Sequence, residues 1–191
     1  HATNMNEAMR IVPGVDINTY GGGVGYTNSN AFRINGSDQV LYLVDGINMG
    51  AAGVNPPMTI MKDMSSIDRV EVQRGAGSTL YGSGAIGGVV NVITAKPEQG
   101  VQTKLRVMGG SNDLEQYAIT NEGSKNDWYW RVGVQKDIIG SYKDGHGVRI
   151  PQHSNSHNGS FMVGNTINDK NDVKVFYDTY RGDVMYSDHL L

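Results

Sequence analysis

The chain has 191 residues, a formal net charge of -3, no cysteine and 26 glycines, with 38% hydrophobic and 18% charged residues. The missing cysteines exclude disulfides, thiolate metal sites and cysteine nucleophiles. The weak acidic balance excludes the basic footprint of a nucleic-acid binder. No run approaches the roughly 18 apolar residues of a membrane helix. Crossing by strands stays open, because alternating strands barely raise mean hydropathy.

Residues 1–97 read as one compact α/β or α+β unit. Asn4 caps a short helix, with Glu7 completing a capping-box pattern and Met5, Ala8, Met9 and Val12 on one face. Pro13-Gly14 ends it. A short strand is expected over Val15–Asn18, and a loop over 19–30, where Gly21-Gly22-Gly23 and Gly25 sit among asparagine and serine. Val40–Val44 is a near-continuous apolar strand stopped by Asp45-Gly46, a turn signal. A short helix is expected over Met58–Met64 after Pro56-Pro57. Arg69–Arg74 alternates like a half-buried strand, and Val89–Thr94 is a third strong strand.

Residues 99–181 have a different grammar. Four runs alternate apolar with polar or small residues: Val101–Met108, Trp128–Gln135, Phe161–Ile167 and Val173–Tyr180. A weaker strand covers about Leu114–Asn121. Their lengths approach the roughly 9–11 residues of a tilted transmembrane strand. The connections Gly123–Asp127 and Asn168–Asn171 are tight, Gly109–Asp113 is rather short, and Ile138–Asn158 is long and polar. Short turns on one side with longer loops on the other suit an outer-membrane barrel. A soluble meander with one wet face gives the same alternation.

The chemical motifs are weak. Gly82-Ser83-Gly84-Ala85-Ile86-Gly87 spells G-x-G-x-x-G, but a strand follows it where dinucleotide binding needs a helix N-terminus. His153 and His157 stand four apart in a serine- and asparagine-rich loop without helical signal. Asn168–Asp172 lacks the EF-hand spacing and reads as a polar turn. Ser78 and Ser83 have no evident base. Asp68 and Glu71 fit a solvated strand edge. Tyr20, Tyr26, Asn28, Asn30, Asn48 and Asn55 gather in two glycine-rich loops, which serve either as connectors or as a binding surface.

Four motifs occur in a fixed order. They are Ala31–Gly36, Val40–Gly46, Ile67–Gly75, and Leu80–Thr94 with its Leu80-Tyr81-Gly82-Ser83-Gly84 opening. This string resembles the plug domain of TonB-dependent outer-membrane receptors, and Asn4–Val15 is similar to the plug's opening. The resemblance implies an α+β plug domain over 1–97, followed over 98–191 by antiparallel β-hairpins of an incomplete transmembrane β-barrel. About five strands are counted, whereas the family's barrel has 22. A fragment is therefore expected, with the partner-contact segment lying upstream of His1.

By the same resemblance the chain belongs to a receptor for energy-coupled uptake of a scarce ligand, foremost a ferric siderophore, with haem or cobalamin as alternatives. It implies no catalysis, cofactor or resident metal, and no nucleic acid. Its partners would be the outer membrane and a TonB-like periplasmic energy-transducing protein. Tyr20, Tyr26, Asn28, Asn30, Asn48 and Asn55 would then contact ligand. Arg33 and Arg74 match two family arginines at the plug–barrel interface, and are expected here to be exposed or to borrow Glu71 or Asp45. Ile34 stands where the family usually has glycine. Uncovered strand faces and edges would drive self-association. A soluble β-rich binding or adhesin module accounts for the second half but not for the ordered motifs. A nucleotide-dependent enzyme rests on the glycine string alone.

Overall fold

A computed structural model of the chain describes residues 8–9, 11–17, 32–37, 39–48, 66–75, 85–143, 145–151 and 153–185. They fall in two compact units, His1–Ala95 and Lys96–Leu191.

In the first unit Ala8 and Met9 are helical and Ile11–Gly14 form turns. Asn4, Met5 and Glu7 of the expected capped helix, and all of the expected helix over Met58–Met64, lie outside the described residues. β1 (Val15–Ile17) pairs antiparallel with β2 (Phe32–Ile34). The larger sheet joins β3 (Val40–Val44), β4 (Ile47–Asn48), β5 (Ile67–Arg74) and β6 (Gly88–Thr94) in the order β4-β3-β6-β5. β3 and β6 run parallel, while β5 is antiparallel to β6.

The apolar runs of β3 and β6 follow from burial on both faces of the sheet. One side packs Met9, Val15, Ile34, Val40, Val44, Val90 and Val92, with Tyr42, Val70 and Val72 against them. The other side packs Leu41, Leu43, Ala85 and Val89. β5, on the sheet margin, only half-buries Ile67, Val70 and Val72 and exposes the rest, which is why its sequence alternates.

The second unit is an antiparallel meander. Its strands are β7 (Gly100–Gly110), β8 (Leu114–Lys125), β9 (Trp128–Ile139), β12 (His153–Asn168) and β13 (Asn171–Met185). Each pairs with its neighbour along the chain, in the order β13-β12-β9-β8-β7. A small hairpin, β10 (Tyr142–Lys143) with β11 (Arg149–Ile150), fills the β9–β12 connection. Tight turns are made by residues that accept positive φ, such as Asn126 at 55°. At the Asn168–Asn171 turn the Asn168 side chain accepts from the Lys170 and Asn171 backbone N–H groups, both at 3.0 Å.

The polar stretch Ile138–Asn158, expected as one long loop, is shorter as a loop. β9 runs on to Ile139, and β12 begins at His153. His153 and His157 are therefore strand residues, not loop residues. Polar sequence can form this strand because Ser154, Ser156 and Asn158 are buried against other polar groups, so no apolar alternation is needed.

The meander is amphipathic in the inverse of the usual sense. One register-matched face carries Val101, Leu105, Val107, Ile119, Trp128, Val132, Val134, Phe161, Val173, Val175 and Tyr177, all exposed; Leu105 is 75% and Trp128 57% accessible. The opposite face buries Thr120, Glu122, Arg131, Gln135, Asp137, Ser154, Ser156 and Asn158. A water-soluble sheet hides its apolar side. Polar in and apolar out, on strands of 11 to 16 residues, is the arrangement of a barrel wall in lipid.

Candidate functional site

Of the six residues proposed for ligand contact, only Asn48 is among the described residues; Tyr20, Tyr26, Asn28, Asn30 and Asn55 lie outside them. Asn48 is exposed at the end of β4, directly after the Asp45-Gly46 turn. Both turn residues have positive φ, 50° and 80°, as a two-residue hairpin loop of right-handed twist requires.

That turn is anchored rather than free. The Asp45 carboxylate accepts from the Thr94 backbone N–H at 2.9 Å and from the Thr94 hydroxyl at 2.8 Å. The Asp45 N–H donates to the Val92 carbonyl at 2.9 Å, and the Gly46 N–H to Asn91 Oδ1 at 3.0 Å. Asn91 in turn donates to Glu71 at 3.2 Å. Asn48 thus projects from a hairpin tied to the end of the central strand β6, a rigid support for a surface contact.

Arg33 is exposed on β2, opposite Asp16 in the register. Arg74, at the end of β5, is exposed and donates through Nη1 to the Pro13 carbonyl at 3.1 Å. The acids expected to serve them are committed elsewhere: Glu71 to Arg69 and Asn91, and Asp45 to Thr94. Asp68 and Glu71 are indeed exposed, and both pair with Arg69. Ile34, in place of glycine, is fully buried in the core.

The G-x-G-x-x-G string runs into β6, so no helix N-terminus follows it to receive a pyrophosphate. Its last glycine, Gly87, lies against Ser37, and its N–H donates to the Gln39 carbonyl at 3.0 Å. This glycine therefore serves close backbone packing.

The sequence reading missed the polar face of the meander as a constructed network. Glu122 is its first hub. Its carboxylate pairs with Lys104 and accepts from Arg131 Nε at 2.6 Å, both Arg131 and Glu122 side chains being 8% exposed. Asp137 is the second hub. It accepts from Gln116 at 2.7 Å, Gln135 at 2.8 Å, Asn158 at 3.3 Å and Ser156 at 3.4 Å. Arg106 extends this group through Gln135 at 3.2 Å. Near the tight turns, Lys96 bonds Thr166 at 2.6 Å and Asp172 at 2.8 Å, and it sits 4.7 Å from the Tyr129 ring centroid. Tyr129 donates to Asp172 at 2.6 Å. The available signal was alternate polar positions on each strand; the partners across strands follow only from register.

A doubly covered mixed sheet, followed along the chain by an inverted antiparallel meander, defines a class of protein: a plug with wall strands of a membrane barrel. Comparison with known proteins agrees. Residues 1–89 match the family described as TonB-dependent Receptor Plug Domain. Among solved structures, the copper transporter OprC is similar over 97% of this chain and 29% of its own, at 20% identity and a TM-score of 0.76. The pyoverdine outer membrane receptor FpvA from Pseudomonas aeruginosa is similar over 95% and 26%, at 21% identity and a TM-score of 0.68. The siderophore receptor PiuA from Acinetobacter baumannii is similar over 96% and 24%, at 19% identity and a TM-score of 0.66. The chain thus spans between 24% and 29% of the length of these proteins. Its leading segment belongs to the TonB-dependent receptor plug family, and its strands have the fold of those receptors.

Proposed function

We propose that this chain forms the plug and adjoining wall strands of an outer-membrane receptor for energy-coupled uptake of a ferric siderophore. The observation that carries the reading is the inverted meander directly following a plug-family segment. An apolar outer face suits lipid, a polar inner face suits a water-filled lumen, and a folded plug stops such a lumen from leaking. Transport needs no covalent chemistry, so the polar clusters serve structure and passage rather than catalysis.

In this reading Tyr20, Tyr26, Asn28, Asn30, Asn48 and Asn55 offer aromatic and hydrogen-bonding contacts at the plug's outward loops. Arg33 and Arg74 seat the plug against acids of the barrel. A TonB-like periplasmic protein supplies the pull that moves it. The siderophore receptors among the similar structures support the choice of cargo.

A second cargo has a specific observation behind it. Met49, Met58, Met61 and Met64 crowd the segment after β4, and thioethers favour soft copper. A copper transporter is also among the similar folds. The test is uptake by cells expressing the full-length receptor, offered radiolabelled ferric siderophores, copper, haem or cobalamin, with and without the energy-transducing partner. Partner-dependent accumulation of iron supports the first reading, and of copper the second. Partner-independent accumulation of every cargo overturns energy coupling.

A further inference from the structure

One row of the apolar face is not apolar. In the register, Lys136 on β9 stands beside His157 on β12, which stands beside Arg181 on β13. These are three adjacent strands. At about 4.8 Å per strand the three side chains span roughly 10 Å. The same row continues through Tyr117 to Val107. It lies next to the row of Leu105, Ile119 and Val134, toward the end opposite the tight Asn126 and Asp169-Lys170 turns.

Among the described residues the three basic groups have no ion-pair partner. Ion pairs of this unit include Lys96–Asp172, Lys104–Glu122, Arg131–Glu122 and Arg149–Asp113, and none of these takes in the basic row. The next row outward carries Glu115 and Asp183. Glu115 accepts the Tyr117 hydroxyl at 3.0 Å, and neither acid pairs with the basic row. His157 and Arg181 are exposed, and Lys136 is half-buried.

A groove of about 490 Å³ opens on this face, lined by Leu105, Tyr117, Ile119 and Val134, with Lys136 and His157 among its walls. It has room for an apolar chain and cations beside it. Gly159, next to Val134 in the register, adds no side chain to the sheet there.

We propose that this row and groove form a binding site for an anionic membrane lipid. Its phosphate headgroup sits on Lys136, His157 and Arg181, and an acyl chain lies along Leu105, Ile119 and Val134. Arginine grips phosphate oxygens in a fork and lysine supplies a compact charge. Cations at the border of an apolar belt attract anionic headgroups. The inference rests on the reading of this face as lipid-facing.

The test uses the full-length receptor in a nonionic detergent. Dioleoyl phosphatidic acid is titrated against it, with dioleoylglycerol and inorganic phosphate as single-feature probes. Retention of phosphatidic acid at least tenfold above both probes is expected, with a loss of about tenfold in the K136Q/H157Q/R181Q variant. Retention in a K136R/R181K variant shows that charge, not fold, is read, and a filled groove in V134W should weaken the diacyl probe alone. Equal binding by the parent and the triple variant overturns the site, as does binding of inorganic phosphate as tight as that of the lipid. A full-length protein that stays monodisperse without detergent would instead sink the membrane reading itself, a separately visible outcome.

Discussion

Gly88 shows how a single position sets the plug's core. Its φ is 154°, and a Cβ there would lie 2.5 Å from the Gln73 carbonyl oxygen and 3.0 Å from Ile34 Cδ1. Ile34 occupies room that a side chain on Gly88 would need. We expect Gly88→Ala to destabilise the plug by about 2 kcal/mol or more, measured by denaturant unfolding. Asp45→Ala removes two acceptors from Thr94 and puts alanine at positive φ, so a loss of about 1–3 kcal/mol is expected, with Asp45→Asn keeping most of it. Tyr42 packs against the core, and burial pushes its phenol well above the ordinary value of about 10. The neutral ring is retained in the fold while the unfolded chain ionises. Stability is then full below about pH 10 and falls as pH rises above it. Tyr42→Phe should remove that alkaline decline in melts run from pH 8 to pH 12.

At the scale of elements, legibility followed the apolar side chains. β3, β6, β7 and β9 announced themselves because each buries or exposes a continuous apolar row. The start of β12 did not, because His153–Asn158 contains no apolar residue; Ser156 and Asn158 bond Asp137 on β9, while His153 and His157 are exposed on the opposite face. The hubs at Glu122 and Asp137 were equally hidden, since Gln116, Asp137 and Ser156 meet only through register. Glu122→Gln would leave Arg131 buried without its carboxylate, and we expect a cost of about 3 kcal/mol or more, reported by a lower unfolding temperature in detergent. Val134→Lys places a charge on the outward face. Insertion into vesicles should weaken by about 2–4 kcal/mol if this row lies near mid-bilayer, measured by partition between lipid and denaturant.

For the whole molecule, the ordered motifs of the first half made the plug legible, and alternation made the wall legible only as one of two readings. Exposure decided between them: a soluble meander would have hidden Leu105, Val134 and Phe161, and all three are exposed. Such a face, together with the unpaired outer margins of β7 and β13 among the described residues, leaves this 191-residue chain unsuited to water. Light scattering without detergent should find oligomers or larger particles that disperse when detergent is added.

The two sheets also differ in when they can form. In the meander every strand partners the next one along the chain, so hairpins can add one after another from any starting pair. In the plug, Val40 must wait for Gly88, a parallel pairing across about half of the unit, before the central strand has a neighbour on that side. The closure entropy of that long excursion falls on the plug alone. Pulsed hydrogen exchange during refolding should therefore protect β8 and β9 before β3 and β6, making the stopper the slow step in a vessel whose wall assembles first.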